Sequence, residues 1–327
     1  MNTINWGILG CGSIATKFCK SMGYVESGKV LACASKTTGK AKQFAQDNNV
    51  EIAYASYEEL LSDDRIDAVY VATTHNFHHE NVLLALDHGK AVLCEKPLAV
   101  NSDQAASMIT RAREKNLFLM EAMWTRFLPA IKQMKAWLND GRIGELKHFR
   151  ADFCIPAEFD PNHRLFNPDL AGGALLDAGI YPVSMASLIA DGEQPHPCYA
   201  ISDVGSTGVD ETTSCLFGYE NGVTGIVSCS VRAGSSNRLE LCGTEGRIEI
   251  PQQFLGATEV RFLPKQGEVE HKEFPMPKDS GFRFQIEAVQ EALQSGQKEC
   301  SEMSLDETLA IAKTMDRILE MSKNRSD

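Results

Sequence analysis

The sequence is poor in the features that define several large functional classes. Its ten cysteines fall singly at 11, 19, 33, 94, 154, 198, 215, 229, 242 and 300, and no CxxC pair occurs. That spacing speaks against a zinc module or a disulfide framework, and predicts small thiols buried among apolar neighbours. Basic residues are in deficit, 32 against 44 acidic ones, for a formal charge of -12. No basic cluster interrupts the excess, so nucleic acid and anionic lipid are not expected partners. Long hydrophobic runs are missing too. The first apolar segment, Ile4 to Leu9, is short and broken by glycine, which suits neither a signal peptide nor a membrane span and leads us to expect a cytoplasmic protein.

What is present is enough for two packed domains: 327 residues, 43% of them hydrophobic. In the first third, short continuous apolar runs alternate with helical stretches, the pattern of a doubly wound parallel sheet. Strands are expected at Asn5 to Leu9, Lys29 to Ala34, Glu51 to Tyr54, Ala68 to Ala72, Ala91 to Cys94 and Leu117 to Met120. Past Trp124 the chain becomes β-rich and mostly antiparallel, with a strong hairpin signal at Asn221-Gly222. We expect a dinucleotide-binding domain over 1–122 and an α+β domain over 123–327 whose large open sheet offers a face for pairing subunits.

The first strand runs into Gly10-Cys11-Gly12-Ser13-Ile14-Ala15, a G-x-G-x-x-A turn between strand and helix. Gly10 allows the tight turn, Gly12 lets the backbone approach a pyrophosphate, and the amides at Ser13 and Ile14 face it. The second strand ends in Ser35-Lys36 where an Asp or Glu would bind a ribose 2′-hydroxyl. A hydrogen-bonding Ser35 and a cationic Lys36 suit a 2′-phosphate, so NADP is expected over NAD. The fourth strand is followed by Thr73, Thr74, His75 and His78, at a carboxyl end where such sheets bind ligands. Adjacent His78 and His79 point in different directions on a helix start, so cofactor contact or helix capping is expected there and a metal site is not.

The fifth strand ends abruptly in Glu95-Lys96-Pro97. Pro97 restricts its predecessor and has no N–H, so Lys96 leaves the strand on a sharply shaped turn. It is the leading catalytic candidate. The combination of the glycine turn, Ala72-Thr73-Thr74-His75 through His78 and Glu95-Lys96-Pro97 resembles the glucose-fructose oxidoreductase, inositol dehydrogenase and rhizopine-catabolism family over the whole chain. The run Met120 to Phe127 is most similar to its branch of dimeric dihydrodiol dehydrogenase and NADP-dependent D-xylose dehydrogenase. The resemblance implies a cofactor site that includes Glu95 and Lys96, and a homodimer formed through the C-terminal sheet.

In the second half the chemical signal is Gly172 to Tyr181. If Ala174 to Ile189 is helical, Asp177 and Tyr181 share a face, although Gly179 and Pro182 favour a bend. In the family this pair ends in histidine in inositol dehydrogenase-like members and in tyrosine in the sugar and dihydrodiol branch. Trp124, Phe153 and Phe282 suit either an apolar substrate pocket or the core, and Arg164 suits cofactor phosphate, substrate or solvent. The expected reaction is hydride transfer between nicotinamide C4 and a hydroxyl or carbonyl carbon of a small sugar, polyol or trans-dihydrodiol. The hydroxyl proton needs a base, and both lysine and tyrosine are too basic in water to serve unaided at neutral pH. The sequence leaves open which of Lys96 and Tyr181 takes the proton. We assign Tyr181 as the acid/base, Lys96 as its electrostatic partner and Asp177 as a guide for substrate hydroxyls. Alternatives are a keto-sugar or nucleotide-sugar reductase and a non-enzymatic NADP-sensing regulator.

The cofactor expectation is checked by comparing kcat/KM with both dinucleotides. NADP should be clearly preferred, and an advantage for NAD would overturn the reading of Ser35 and Lys36.

Overall fold

A computed structural model describes residues 3–323. The chain divides into two compact units, one of Met1–Trp124 with Met276–Thr308 and one of Thr125–Pro275 with Leu309–Asp327. A reading of 123–327 as a single domain misses the stretch Met276–Thr308, which packs with the first unit.

The first unit is built on six parallel strands: β1 (Ile4–Leu9), β2 (Gly28–Ala34), β3 (Ile52–Tyr54), β4 (Ala68–Val71), β5 (Ala91–Cys94) and β6 (Leu119–Glu121). Their order is β3-β2-β1-β4-β5-β6, and the direction of winding reverses between β1 and β4. β4 and β5 are buried at every residue, which is why they read as unbroken apolar runs. The crossovers are α1 (Ser13–Met22), α2 (Lys40–Asn48), α3 (Tyr57–Leu61), α4 (His78–Asp87) and α5 (Ser102–Glu114). From the sequence Ser102 would cap α5 and α4 would begin near Val82; in the structure Asn101 caps α5, its Oδ1 accepting from the Gln104 N–H at 2.9 Å, and α4 begins at His78. Inside the unit Trp6 of β1 packs edge-on against Phe18 of α1, and Phe18 stacks on Tyr70 of β4 at 4.1 Å.

The second unit carries α6 (Pro129–Asn139), α7 (Ile180–Ile189) and an eight-stranded sheet. Its strands are β7 (Leu146–Cys154), β8 (Cys198–Val204), β9 (Asp210–Gly218), β10 (Thr224–Ser230), β11 (Leu239–Gly243), β12 (Gly246–Ile250), β13 (Glu259–Pro264) and β14 (Glu270–Glu273). The order is β14-β13-β12-β11-β7-β10-β9-β8. All neighbours are antiparallel except β7 and β10. The turn from β9 to β10 forms as its residues dictate, with Gly222 at φ +80 and the Asn221 side chain accepting from the Val223 N–H. The charged outer strands β13 and β14 were not expected. Downstream, α8 (Arg283–Gln294) packs on α1 in the first unit, and the division between units falls within α9 (Leu305–Lys323). From the sequence, the packing stripe of α9 reads Leu309, Ala312, Met315 and Leu319; Met315 is buried, the other three are half-buried, and Thr308, Ile311, Thr314 and Ile318 also turn inward.

The inner face of the second sheet is close-packed around Phe149, which is fully buried on β7 opposite Gly225 of β10. A methyl group at Gly225 would overlap the Phe149 ring. Gly225→Ala should therefore cost about 1–3 kcal/mol through overpacking, read as a lower urea midpoint. An unchanged midpoint would show that the ring has room to move.

Candidate active site

The turn from β1 into α1 is shaped by its glycines. Gly10 has φ +97, and its N–H continues the sheet by donating to the Ala34 carbonyl at 3.0 Å. A Cβ here would stand 2.9 Å from the Ala72 carbonyl oxygen and 3.0 Å from the Thr73 nitrogen, so the turn presses directly on the exit of β4 and tolerates no side chain. At Gly12 the opposite holds: a Cβ would meet nothing within 4 Å. Gly12 has extended geometry and α1 begins at Ser13, so the first-turn amides point out of the helix end into open space. Fully buried Ala15 lets α1 sit close to the sheet. These residues fit a dinucleotide pyrophosphate. Beside the turn, a cleft of about 790 Å³ between α1 and α2 is lined by Gly12, Ser13, Thr16, Lys40 and Gln43 among others. Lys40 is a cation the sequence reading did not single out.

At the end of β2, Ser35 is buried, with Oγ accepting from the Thr37 N–H at 3.2 Å. Lys36 is exposed. It pairs with Glu80 at 2.8 Å, and its ammonium lies 5.5 and 5.8 Å from the Tyr57 and Phe77 ring centres. An ion pair so open to water is readily exchanged for another anion.

The loops leaving β4 and β5 show which site residues face inward. Thr73 and Thr74 are half-buried; the Thr73 hydroxyl accepts from the Asn81 side chain at 3.2 Å, and the Thr74 hydroxyl donates to the Asn76 side chain at 2.8 Å. His75 is buried in the 3₁₀ turn His75–Phe77. His78 is 1% exposed. Its Nδ1 lies 2.8 Å from the Pro97 carbonyl oxygen and its Nε2 3.1 Å from that of Thr73. Burial holds this imidazole below its ordinary pKa and the Lys96 charge adds to the effect, while the two carbonyls pull the other way. His79, next in sequence, faces the Ser107 hydroxyl at 3.3 Å, so the two rings diverge as expected. Glu95 is buried too, with one carboxylate oxygen accepting from the Tyr70 hydroxyl and the other from the Lys96 N–H at 3.2 Å. Lys96 is half-buried and its peptide bond to Pro97 is cis. Trp124 packs on Phe282 at 5.2 Å between ring centres.

The second unit brings together its own group of site residues. The segment Leu175–Gly179 is a single π-helical turn that opens α7, closed by the Ile180 N–H bonding back to the Leu175 carbonyl. The irregularity expected near Gly179 takes the form of this π turn, which widens the helix where Asp177 sits. Gly179 permits this, because a Cβ would lie 2.8 Å from a Leu175 methyl and 2.9 Å from the Cys229 sulfur of β10. Asp177 and Tyr181 are both buried. Arg164 forks onto Asp177, Nη1 to Oδ1 at 2.7 Å and Nη2 to Oδ2 at 3.4 Å. Of the destinations open to Arg164 from sequence, none was this carboxylate. Phe153 on β7 packs edge-on against Tyr181 at 5.4 Å.

Two family models account for both halves of the chain: an oxidoreductase family with an NAD-binding Rossmann fold matches residues 4–123, and the GFO/IDH/MocA C-terminal domain matches 131–249. The chain belongs to the GFO/IDH/MocA oxidoreductase family. It is similar to trans-1,2-dihydrobenzene-1,2-diol dehydrogenase of Xenopus laevis, 39% identical with 96% of this chain and 97% of the relative covered. The Mus musculus enzyme of that name is 38% identical over 96% and 95%. Among solved structures, KijD10, a 3-ketoreductase from Actinomadura kijaniata in complex with NADP and TDP-benzene, superposes with a TM-score of 0.87 at 29% identity, covering 98% of both chains. An aldose-aldose oxidoreductase from Caulobacter crescentus shares the fold, with a TM-score of 0.89 at 24% identity over 99% and 98%. The chain is thus an NAD(P)-dependent GFO/IDH/MocA enzyme acting on CH–OH groups, with the two-sheet architecture expected from its sequence.

Proposed function

We propose that this enzyme uses NADP to move a hydride to or from a hydroxyl- or carbonyl-bearing carbon of a small sugar, polyol or trans-dihydrodiol. The observation that carries the reading is the 39% identity, over 96% of the chain, to the Xenopus laevis dihydrodiol dehydrogenase. When bound, NADP supplies the hydride acceptor, or in its reduced form the donor, at nicotinamide C4.

The roles assigned to the chain's residues follow from that chemistry. Gly10, Gly12, Ser13 and Ile14 receive the pyrophosphate on backbone amides. Ser35 and Lys36 receive the 2′-phosphate, with Lys40 in the adjoining cleft as a further cation. Thr73, Thr74, His75, Glu95 and Lys96 border the cofactor, the buried Glu95 acting through the backbone it holds. Oxidation of an alcohol releases the hydroxyl proton, and reduction of a carbonyl takes one up. Tyr181 exchanges this proton, Lys96 stabilises the charge that develops, and Asp177, fixed by Arg164, orients substrate hydroxyls. Phe153, packed on Tyr181, and Trp124 supply apolar surface for the substrate. A second reading, a reductase of keto-sugars including nucleotide sugars, draws on the likeness to KijD10. Turnover assays across free sugars, inositols, trans-dihydrodiols and nucleotide sugars separate the two.

A homodimer formed through the second unit's sheet completes the proposal. On its outer face Tyr199, Leu216 and Ile226 are register neighbours across β8, β9 and β10, with Ile201 beside them. They are 60, 49, 46 and 61% exposed, an apolar row that pairing with a second copy would cover. Ten cysteines with no disulfide among the described residues suit a reducing compartment, and we place the enzyme in the cytoplasm.

Lys96→Met and Tyr181→Phe should each depress kcat by roughly 100-fold or more while NADPH binding persists; near-normal turnover in either variant would sink the assignment. Sedimentation should show a dimer that Leu216→Glu dissociates, and a wild-type monomer at micromolar concentration would reject the interface.

A further inference from the structure

We propose that His78 is a positioning residue for Lys96, tying the turn after β5 to the start of α4, and that it does not touch the cofactor. The proposal rests on the role given to Lys96 above. Its geometry lies wholly within the first unit. The ring sits between two carbonyls on loops that leave adjacent strands at their carboxyl ends, that of Thr73 after β4 and that of Pro97 after β5. At 1% exposure it has no face left for a nucleotide.

A neutral imidazole has one N–H, and burial opposes a second proton. The shorter contact, 2.8 Å, assigns that hydrogen to Nδ1 donating to the Pro97 carbonyl. Nε2 then has no hydrogen to give the Thr73 carbonyl oxygen 3.1 Å away, so the ring is tethered from the Pro97 side alone.

Two further buried groups hold the same turn. The Lys96 N–H donates to Glu95 Oε2 at 3.2 Å, and the Leu98 N–H donates to Glu121 Oε1 at 2.9 Å. Glu95, His78 and Glu121 are 5, 1 and 2% exposed. Backbone groups at three consecutive residues are thus fixed by three buried polar side chains, and the half-buried Lys96 side chain leaves a backbone with little freedom. His78 is the member of this set that reaches across from α4, so removing it frees the turn without altering the residues on either side of Lys96.

The test compares His78→Phe, which removes both ring nitrogens, with His78→Gln, which keeps an amide donor for the Pro97 carbonyl. In the Phe variant, kcat should fall at least tenfold, the NADPH dissociation constant should stay within twofold, and amide hydrogen exchange across 95–99 should quicken at least tenfold. The Gln variant should recover part of each change. In the unaltered enzyme, nitrogen NMR should find His78 protonated at Nδ1 at neutral pH, a measurement that stands even where the Phe variant does not fold. NADPH binding weakened tenfold with kcat unchanged would make His78 a cofactor ligand and overturn the proposal. So would an Nε2-protonated ring, or exchange and kcat that do not move. Normal turnover in Lys96→Met would defeat the assigned role of Lys96, while the exchange data would still report whether the tether exists.

Discussion

The first unit depends on a contact that admits no side chain. Where β1 turns into α1, Gly10 lies against the backbone leaving β4, and that pressure fixes the spacing of the two strands at which the sheet reverses its winding. A crevice opens at such a reversal because the crossovers on either side depart to opposite faces. The start of α1, the Thr73–Thr74 loop and the Lys96 turn all border this crossing, each at a strand's carboxyl end. Behind them, the packing of Trp6, Phe18 and Tyr70 ties β1 to β4, and the Tyr70 hydroxyl reaches Glu95 at the end of β5. Aromatic packing is therefore continuous with the polar groups that shape the turn bearing the lysine.

Most of this unit could be read locally. Short runs alternating with helical stretches marked all six strands to within two residues, and the glycine turn stands where expected, between strand and helix. What could not be read was direction. His78 and Glu95 sit within the motifs read from sequence as cofactor-binding, and their side chains reach partners 19 and 25 residues away in the chain. No periodicity carries that information, since it arises only once two loops are folded beside each other. The cap of α5 shows the smaller version of the same limit: Asn101 and Ser102 are both good capping residues, and only the backbone angle decides between them.

The second unit was less legible at its margins. β13 and β14 are rich in charge, with an Arg261–Glu259 ion pair and a contact of 2.7 Å from His271 Nε2 to the Glu259 carboxylate. Such strands lack the apolar alternation that reveals a half-buried sheet. On α9, a helix with apolar residues on several faces, the side that packs includes Thr308, which hydropathy alone would not choose. Arg164 was visible as a loop cation, but its choice of Asp177 over phosphate or solvent depends on how a loop folds onto a helix start.

The π-helical turn before Tyr181 has a consequence for the length of the chain at this point. An α-helix advances about 100° per residue, and a π turn accommodates one residue more in the same rise. The angular phase between Asp177 and Tyr181 is thus set by how many residues occupy Leu175–Gly179, with Gly179 keeping that extra residue from striking β10. Here the count of residues is as much a part of the site as their identities.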